Sequence, residues 1–204
     1  MRSNLLSVVI FLLLVNFQFG CSGVNNTINN AKRLQFKLGS VDNFNLAGVK
    51  LNNINSIKDL NILDGAALLA AFTSGKADAA FTVNLIAKNP DTYPGGTKES
   101  SSLIKSLDWR LLIDDTEMLS GEINKPITVP GVGQSTTIPI PVKIDLLKLV
   151  GNGGYEKLIN LALSIGGKSG NSSKLTLKIQ PTIDTFMGGI TYPGEIDVIN
   201  KEFR

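Results

Sequence analysis

Apolar and polar residues alternate with a period of two along much of the chain after Arg33. The clearest run places six apolar residues on one face, namely Ala77, Ala79, Phe81, Val83, Leu85 and Ala87. Similar runs cover 103–113 and 138–144, and two more close the chain at 174–183 and 190–198. Successive side chains of a strand point to opposite faces, so each run predicts a strand with one buried face. The pattern predicts a mainly β fold, an antiparallel sandwich.

Helical patterns interrupt these strands at two places. Residues 65–73 are apolar nearly all round, follow a candidate cap at Asp64 and stop at Ser74-Gly75. A helix of that composition is predicted to be largely buried. Residues 155–165 follow a 3.6-residue period between two glycine-rich breakers, which predicts a second helix. The glycines of 151–154 resemble a phosphate cradle, but no phosphate-binding motif follows them, so a connector is the simpler interpretation.

Turn and edge signals organise the strands further. We expect a turn near Asp42-Asn43 and a β-bulge where the alternation slips at Ala47-Gly48. The acidic cluster 114–117 predicts a hairpin turn. Pro139 and Pro141 lie on one face of a strand, and proline lacks the N–H that a central strand needs. That strand is therefore predicted to be an edge.

The N-terminus reads as a secretory leader. Arg2 precedes a short apolar run, Leu5 to Val15, and Gly20 stands just before Cys21, the single cysteine of the chain. The run would be roughly 17 Å long as a helix, well short of a hydrocarbon core of about 30 Å. The arrangement resembles the bacterial lipoprotein signal, in which the peptide is cleaved before the cysteine and that residue is acylated. We therefore predict a signal peptide at 1–20, a flexible tether at 21–33 and one domain at 34–204.

An ordinary secretory signal peptide is the alternative to this interpretation. It would leave the Cys21 thiol free, and the sequons at Asn25 and Asn171 would then be glycosylation acceptors. A disulfide-stabilised secreted chain would carry an even set of cysteines, which favours the lipoprotein. Ser22 to Asn25 contains no acidic residue of the kind that marks some lipoproteins for export to the cell surface, or that favours retention of others in the inner membrane. We expect a lipid-anchored protein at the periplasmic face of the outer membrane.

The segment Phe81–Asp145 carries four motifs in order: the strand end Asn89-Pro90, the strand Leu107 to Ile113, the pair Gly121-Glu122 after the hairpin, and the proline-bearing strand Thr137 to Val142. In this order and spacing the segment resembles the water-stress and hypersensitive-response domain of the late embryogenesis abundant type 2 family. The resemblance implies a seven-stranded fibronectin- or immunoglobulin-like sandwich with a family-like core at 77–145. It also implies a protective or interaction role in stress and at membranes, with no enzymatic activity.

The composition argues against most enzymatic chemistry. The chain contains no histidine, which excludes a Ser-His-Asp triad and the commonest general base. Asp114, Asp115 and Glu117 could bind calcium or act as acid and base, although a solvated hairpin explains them more simply. Trp109 falls on a core-facing position and is interpreted as packing. We expect no enzyme, no cofactor and no metal site, and the net charge of +3 without a basic stripe gives no reason to expect nucleic acid.

Two functions remain open at this point. In the first, a solid sandwich contacts membranes through lipidated Cys21 and binds other envelope proteins. Asn89, Pro90 and Asp91 form its candidate interaction loop, although a strand stop is the simpler interpretation. In the second, the two helices close a cavity in a periplasmic carrier of a lipid or another apolar ligand. The first is favoured because sandwich cores are normally filled by their own side chains.

Overall fold

The computed structural model describes residues 34–90, 101–151, 153–168, 173–185 and 188–198. This part of the chain forms ten strands: β1 (Gln35–Leu46), β2 (Val49–Lys50), β3 (Asp78–Lys88), β4 (Ser102–Ile113), β5 (Thr116–Ile123), β6 (Ile127–Val129), β7 (Ser135–Asp145), β8 (Leu175–Thr185), β9 (Gly188–Thr191) and β10 (Ile196–Val198). A short 3₁₀ turn (Ile57–Asp59) precedes three α-helices, which are α1 (Ile62–Thr73), α2 (Leu147–Val150) and α3 (Gly154–Ile165).

The strands form two antiparallel sheets, which confirms the predicted sandwich class. The first sheet has the order β2-β1-β3-β7, and the second has the order β10-β8-β4-β5, with β6 also paired to β4 and β9 to β8. β7 is an edge strand, as its two prolines predicted. The closing strand expected at 190–198 is instead two short strands, β9 and β10, and both pair with β8.

One apolar core lies between the sheets. Alternate residues of β3 are buried from Ala79 to Ala87, and those of β7 from Ile138 to Ile144. Phe81 lies opposite Val142, and its ring stacks on that of Phe44 at a centroid distance of 4.9 Å. Inward side chains of β4 and β8 belong to the same cluster. The period-two runs therefore identified the core-facing residues correctly along most of their length.

β4 departs from the simple alternation at Lys105. Its pairing with β8 shifts between Ile104 and Ser106, so Lys105 is the extra residue of a β-bulge. The side chain of Lys105 is exposed, whereas Ile104 and Leu107 on either side are buried. A bulge inserts one residue without a partner and so resets the phase of the strand. This accommodates the charge that interrupted the apolar face in the sequence.

The predicted turn at Asp42-Asn43 was wrong, because β1 runs through this position with two register shifts. The predicted bulge at Ala47-Gly48 was also wrong. These two residues form a two-residue hairpin loop in which Leu46 lies opposite Val49 and both φ angles are positive, 49° and 88°. Positive φ at both positions gives a turn whose twist matches the flanking strands. The Asn45 side chain also accepts a hydrogen bond from Gly48 N at 2.9 Å.

The two predicted helices are present as α1 and α3, and α2 was not predicted. α1 begins earlier than expected, because Asn61 and not Asp64 is its cap. Asn61 Oδ1 accepts from Asp64 N at 2.8 Å, and Asn61 Nδ2 donates to Asp64 at 2.7 Å. The prediction that α1 is largely buried was wrong, since only Leu68 and Ala71 are buried in it. α1 packs on α3 and β2 outside the sandwich, so only one side of the helix is covered.

α1 and α2 lie at the end of the sandwich where β1 ends and β3 begins, and α3 runs from there to residues that lie against Val41 of β1. Leu146 N donates to Ala77 O at 3.0 Å, which fixes the start of α2 beside the start of β3. Buried side chains of α2 and α3, including Val150, Leu158 and Ile159, close the core there. Leu34 enters at the opposite end, next to the end of β3. The predicted tether therefore joins β1 at the end of this strand that lies away from α1.

Trp109 lies in the core, as predicted, and its ring covers a glycine. Trp109 of β4 is directly opposite Gly121 of β5. A Cβ atom placed on Gly121 would lie 2.7 Å from Trp109 Cζ2 and 2.9 Å from Cε2. The indole therefore occupies the space that any other side chain at this position would need.

We predict that Gly121→Ala lowers the free energy of unfolding by about 1 to 3 kcal/mol, because the added methyl overpacks the indole. Denaturant titration monitored by the fluorescence of Trp109, the single tryptophan, measures this change. Gly194→Ala is the control, since Gly194 is exposed and an added Cβ would meet no atom within 4 Å. Equal stability of the two variants would contradict the packing argument.

Candidate functional site

Two residues predicted from the sequence to be functional, Cys21 and Asp91, lie outside the described residues. Lipid attachment at Cys21 therefore stays a prediction. The other candidates occupy two separate places, which are the corner at Asn89 and the acidic hairpin at 114–117, and the structure adds the surface of α1 as a third. The structure does not bring them together into one site.

The Asn89 corner is a clamp at the end of β3. Asn89 is wholly buried, and its Nδ2 donates to Pro130 O at 2.8 Å. Its backbone N donates to Gln134 O at 2.9 Å, and its carbonyl accepts from Gly133 N at 3.0 Å. Asn89 therefore holds the loop 130–134, which connects β6 to β7, against the strand end. This geometry agrees with the strand-stop interpretation. The interaction-loop hypothesis stays a prediction, and binding there would have to use residues next to Asn89, because the Asn89 side chain is buried.

The acidic cluster is a hairpin turn, as predicted. Asp114 and Asp115 are its two central residues, with φ angles of 48° and 62°. Lys174 N donates to Asp114 Oδ1 at 2.8 Å, and Lys174 Nζ lies 3.0 Å from Asp115 Oδ1. These contacts hold the start of β8 against the turn. Glu117 points elsewhere, so the three carboxylates do not converge, and no group of three or more potential ligands is placed to hold a metal within the described ranges.

Paired charges cover the outer face of the second sheet. Arg110 of β4 donates through Nε to Glu195 Oε1 at 2.7 Å and through Nη1 to Glu117 Oε2 at 2.6 Å, and its Nη2 bonds the second oxygen of Glu195. These bonds hold the pKa of the Glu195 carboxyl below its ordinary value and raise that of the guanidinium. Lys178 and Asp197 form a neighbouring pair at 3.1 Å. The arrangement links β4, β5 and the segment before β10, which gives this face a structural role.

The surface grooves are open and partly polar. One of about 540 Å³ lies between α3 and the acidic hairpin and is lined in part by Asp114, Glu156 and Lys157. Another of about 550 Å³ lies at the β1–β2 turn and the adjoining ends of β3 and β7, with Lys143 and Asp145 in its lining. An apolar ligand prefers an enclosed, mostly apolar site. These grooves do not have that character.

α1 carries an apolar surface that sequence reasoning missed. Its exposed side consists of six apolar residues, which we call the α1 outer face: Ile62, Leu63, Ala66, Ala67, Leu69 and Ala70. Ile62 and Leu63 are 90% and 81% exposed, whereas Leu68 and Ala71 on the opposite side are buried. Among the described helices, none combines the length and the apolar character needed to cross a bilayer. α1 is thus a short surface helix that is apolar on both sides.

α1 is attached to the rest of the protein by few polar contacts. Phe72 meets Tyr155 of α3 edge to face at a centroid distance of 6.1 Å, and Tyr155 Oη donates to Gly65 O at 3.3 Å.

The sequence predicted that α1 is buried because its residues are apolar nearly all round. The strand patterns already supply a full set of inward-facing apolar residues for the core, and this was the available sign that part of α1 would be exposed. A further apolar helix then has room for only one of its sides.

Comparisons with known proteins give distant similarities. Neither a protein-family model nor a curated protein sequence matches this chain. Among solved structures, the chain is similar to the solution structure of a protein assigned provisionally as late embryogenesis abundant, with 19% identity over 99% of this chain and 85% of that chain and a TM-score of 0.40. It is also similar to a crystal structure of a protein from Archaeoglobus fulgidus, with 14% identity over 81% of this chain and 99% of that chain and a TM-score of 0.32.

We predict that Asn89→Ala lowers the free energy of unfolding by about 1 to 3 kcal/mol, because the carbonyl of Pro130 loses the hydrogen bond donated by the buried Asn89 side chain. Denaturant titration measures the change, and limited proteolysis should detect cleavage near 130–134. Asn53→Ala, at an exposed position, is the matched control and should stay within about 0.5 kcal/mol of the parent. If Asn89→Ala matches the control in both assays, the clamp does not stabilise the corner.

Proposed function

We propose that this protein is a non-enzymatic, lipid-anchored protein of the cell envelope that acts as a stress-protective or interaction module of the late embryogenesis abundant type 2 kind. The observation that carries the proposal is the assembly of the motifs behind that resemblance. They lie far apart in the sequence, yet they occupy paired positions of one sandwich: β3 pairs with β7, and β4 pairs with β5.

Each motif residue has a specific structural task in this sandwich. Asn89 clamps the loop before β7, Gly121 makes room for Trp109, and Pro139 and Pro141 lie on an edge strand. All three tasks belong to one sandwich, which supports a shared architecture with the family, while function still has to be argued from the chain itself.

The chemistry of the chain supports a role without catalysis. There is no histidine in the sequence, and the acidic hairpin is occupied with Lys174 and Arg110. The inward side chains of both sheets belong to one apolar cluster, which favours the solid module over a carrier of an apolar ligand. Interaction with partners would then use the surface and the loops.

The position of the N-terminus suits an anchored domain. Leu34 directly precedes β1 at the end of this strand away from α1, and the predicted tether precedes Leu34. One acyl chain binds membranes only marginally, whereas two or more on a single cysteine hold durably. Lipidation of Cys21 would therefore suffice to keep the domain at the envelope. We place it at the periplasmic face of the outer membrane.

The anchoring part predicts that the chain expressed in a bacterial host incorporates a labelled fatty acid and sediments with membranes. Cys21→Ser should lose the label, because the acylated sulfur is gone, and should no longer be held by lipid. Ser22→Ala is the matched control and should keep both properties. Incorporation of label by Cys21→Ser would contradict lipid attachment at this residue.

The functional part predicts that the chain from Ser22 onward preserves the activity of a labile enzyme during drying. It should do so better than an equal mass of an unrelated β-sandwich protein. Native mass spectrometry of the same sample should give the mass of the polypeptide alone, because the core is filled. A stoichiometric bound lipid would instead support the carrier, and an absence of protection would count against the stress role.

A further inference from the structure

The α1 outer face lacks a partner among the described residues. Its six members include no charged residue, and its two most exposed side chains, Ile62 and Leu63, adjoin each other at the first turn of the helix. Scattered apolar residues on a surface are ordinary, but a contiguous apolar patch marks a site of contact. The question is which surface covers it.

The membrane that holds the tether is poorly placed to do so. β1 runs from Leu34 toward the helical end, and its 12 residues cover roughly 40 Å. A flexible tether of the length predicted for 22–33 has a root-mean-square span of about 20 Å. A domain standing on that tether therefore holds α1 at the end of β1 that lies away from the bilayer, where it can meet other proteins.

We propose that the α1 outer face is the contact between two copies of this chain that stand side by side on one membrane. A twofold axis along the length of the sandwiches brings the two helices together and leaves both tethers on the same side. Such an interface uses the same patch on both copies, so the patch must be self-complementary. An uncharged patch meets this condition without like-charge repulsion, and Ala66, Ala67 and Ala70 allow the helices to approach closely.

Area limits the strength of this contact. If a Leu or Ile side chain offers on the order of 100 Å² of apolar surface, the α1 outer face offers roughly 300 to 400 Å². Two such faces bury about 700 Å², less than the roughly 1,200 to 2,000 Å² of stable interfaces. Copies should therefore separate when dilute and pair when anchoring raises their effective concentration. The pairing on a membrane rests on the proposed lipid anchor, whereas the identity of the contact face does not.

Cysteine cross-linking in cells tests the contact, because the chain has a single native cysteine. The full chain carrying Leu63→Cys is expressed in a bacterial host and treated with a short bis-maleimide. We expect a covalent dimer whose peptides all come from this chain. The matched control is Asp108→Cys, at an exposed position on the outer face of the second sheet, which should stay monomeric.

The parent chain separates the two hypotheses. If Cys21 is acylated, the parent has no free thiol and yields no dimer. If the parent does cross-link, the anchor is contradicted, and the contact is then tested with Cys21→Ser in every variant and the chain at high concentration. The α1 contact is judged only by the difference between Leu63→Cys and Asp108→Cys.

A second substitution guards against misfolding as the explanation. Ile62 is the first residue of α1, where a carboxylate interacts favourably with the helix dipole, so Ile62→Asp should leave the helix intact. Added to Leu63→Cys, it should reduce the dimer at least tenfold while the Trp109 emission spectrum stays unchanged. Cross-linking that equals the Asp108→Cys control, that survives Ile62→Asp, or that captures a different protein would each overturn the proposal.

Discussion

The pairing of β3 with its two neighbours is the constraint on which the rest of the molecule depends. β3 pairs with β7 at every residue from Asp78 to Lys88, and its inward side chains form the middle of the core. Just before its first residue, Ala77 O accepts a hydrogen bond from Leu146 N, which joins the start of β3 to the start of α2. Its last residue leads into Asn89, which holds the loop before β7. A failure of this strand would therefore release both ends of the sandwich at once.

The two ends of the sandwich have different physical character. The end near Leu34 is closed by hydrogen bonds between Asn89 and the loop 130–134, which are directional and fix one geometry. The other end is closed by apolar side chains of α2 and α3, and its outermost layer is α1. Apolar packing is not directional and leaves surplus surface where no partner is supplied. The two ends of the sandwich, one closed by directional hydrogen bonds and one by apolar packing, differ for this reason.

Hydrophobic periodicity predicted the strands well where one face of the strand is buried and the other faces solvent. β3 and β7 satisfy this condition along their full length. The hairpin at Asp114-Asp115 was likewise predictable, because its acidic turn residues are a signal in the local sequence. The bulge at Lys105 was not predictable, because it depends on the register with β8, a strand about seventy residues away. Ala47 adopts a positive φ that its own side chain does not favour, so Gly48 alone signalled the hairpin there and a bulge was the competing interpretation. The exposure of α1 depends on how much core the strands had already filled.

The exposed residues of α1 are not needed for its fold. A helix of this length is marginal alone, so its stability comes from the inward side, through Leu68, Ala71 and the contact of Phe72 with Tyr155. Ile62 and Leu63 contribute little to that packing, because at least four fifths of each is in water. Polar residues there would keep the helix and improve solubility. The apolar character of this face therefore finds no explanation among the residues that the structure describes, and a surface beyond them accounts for it more simply.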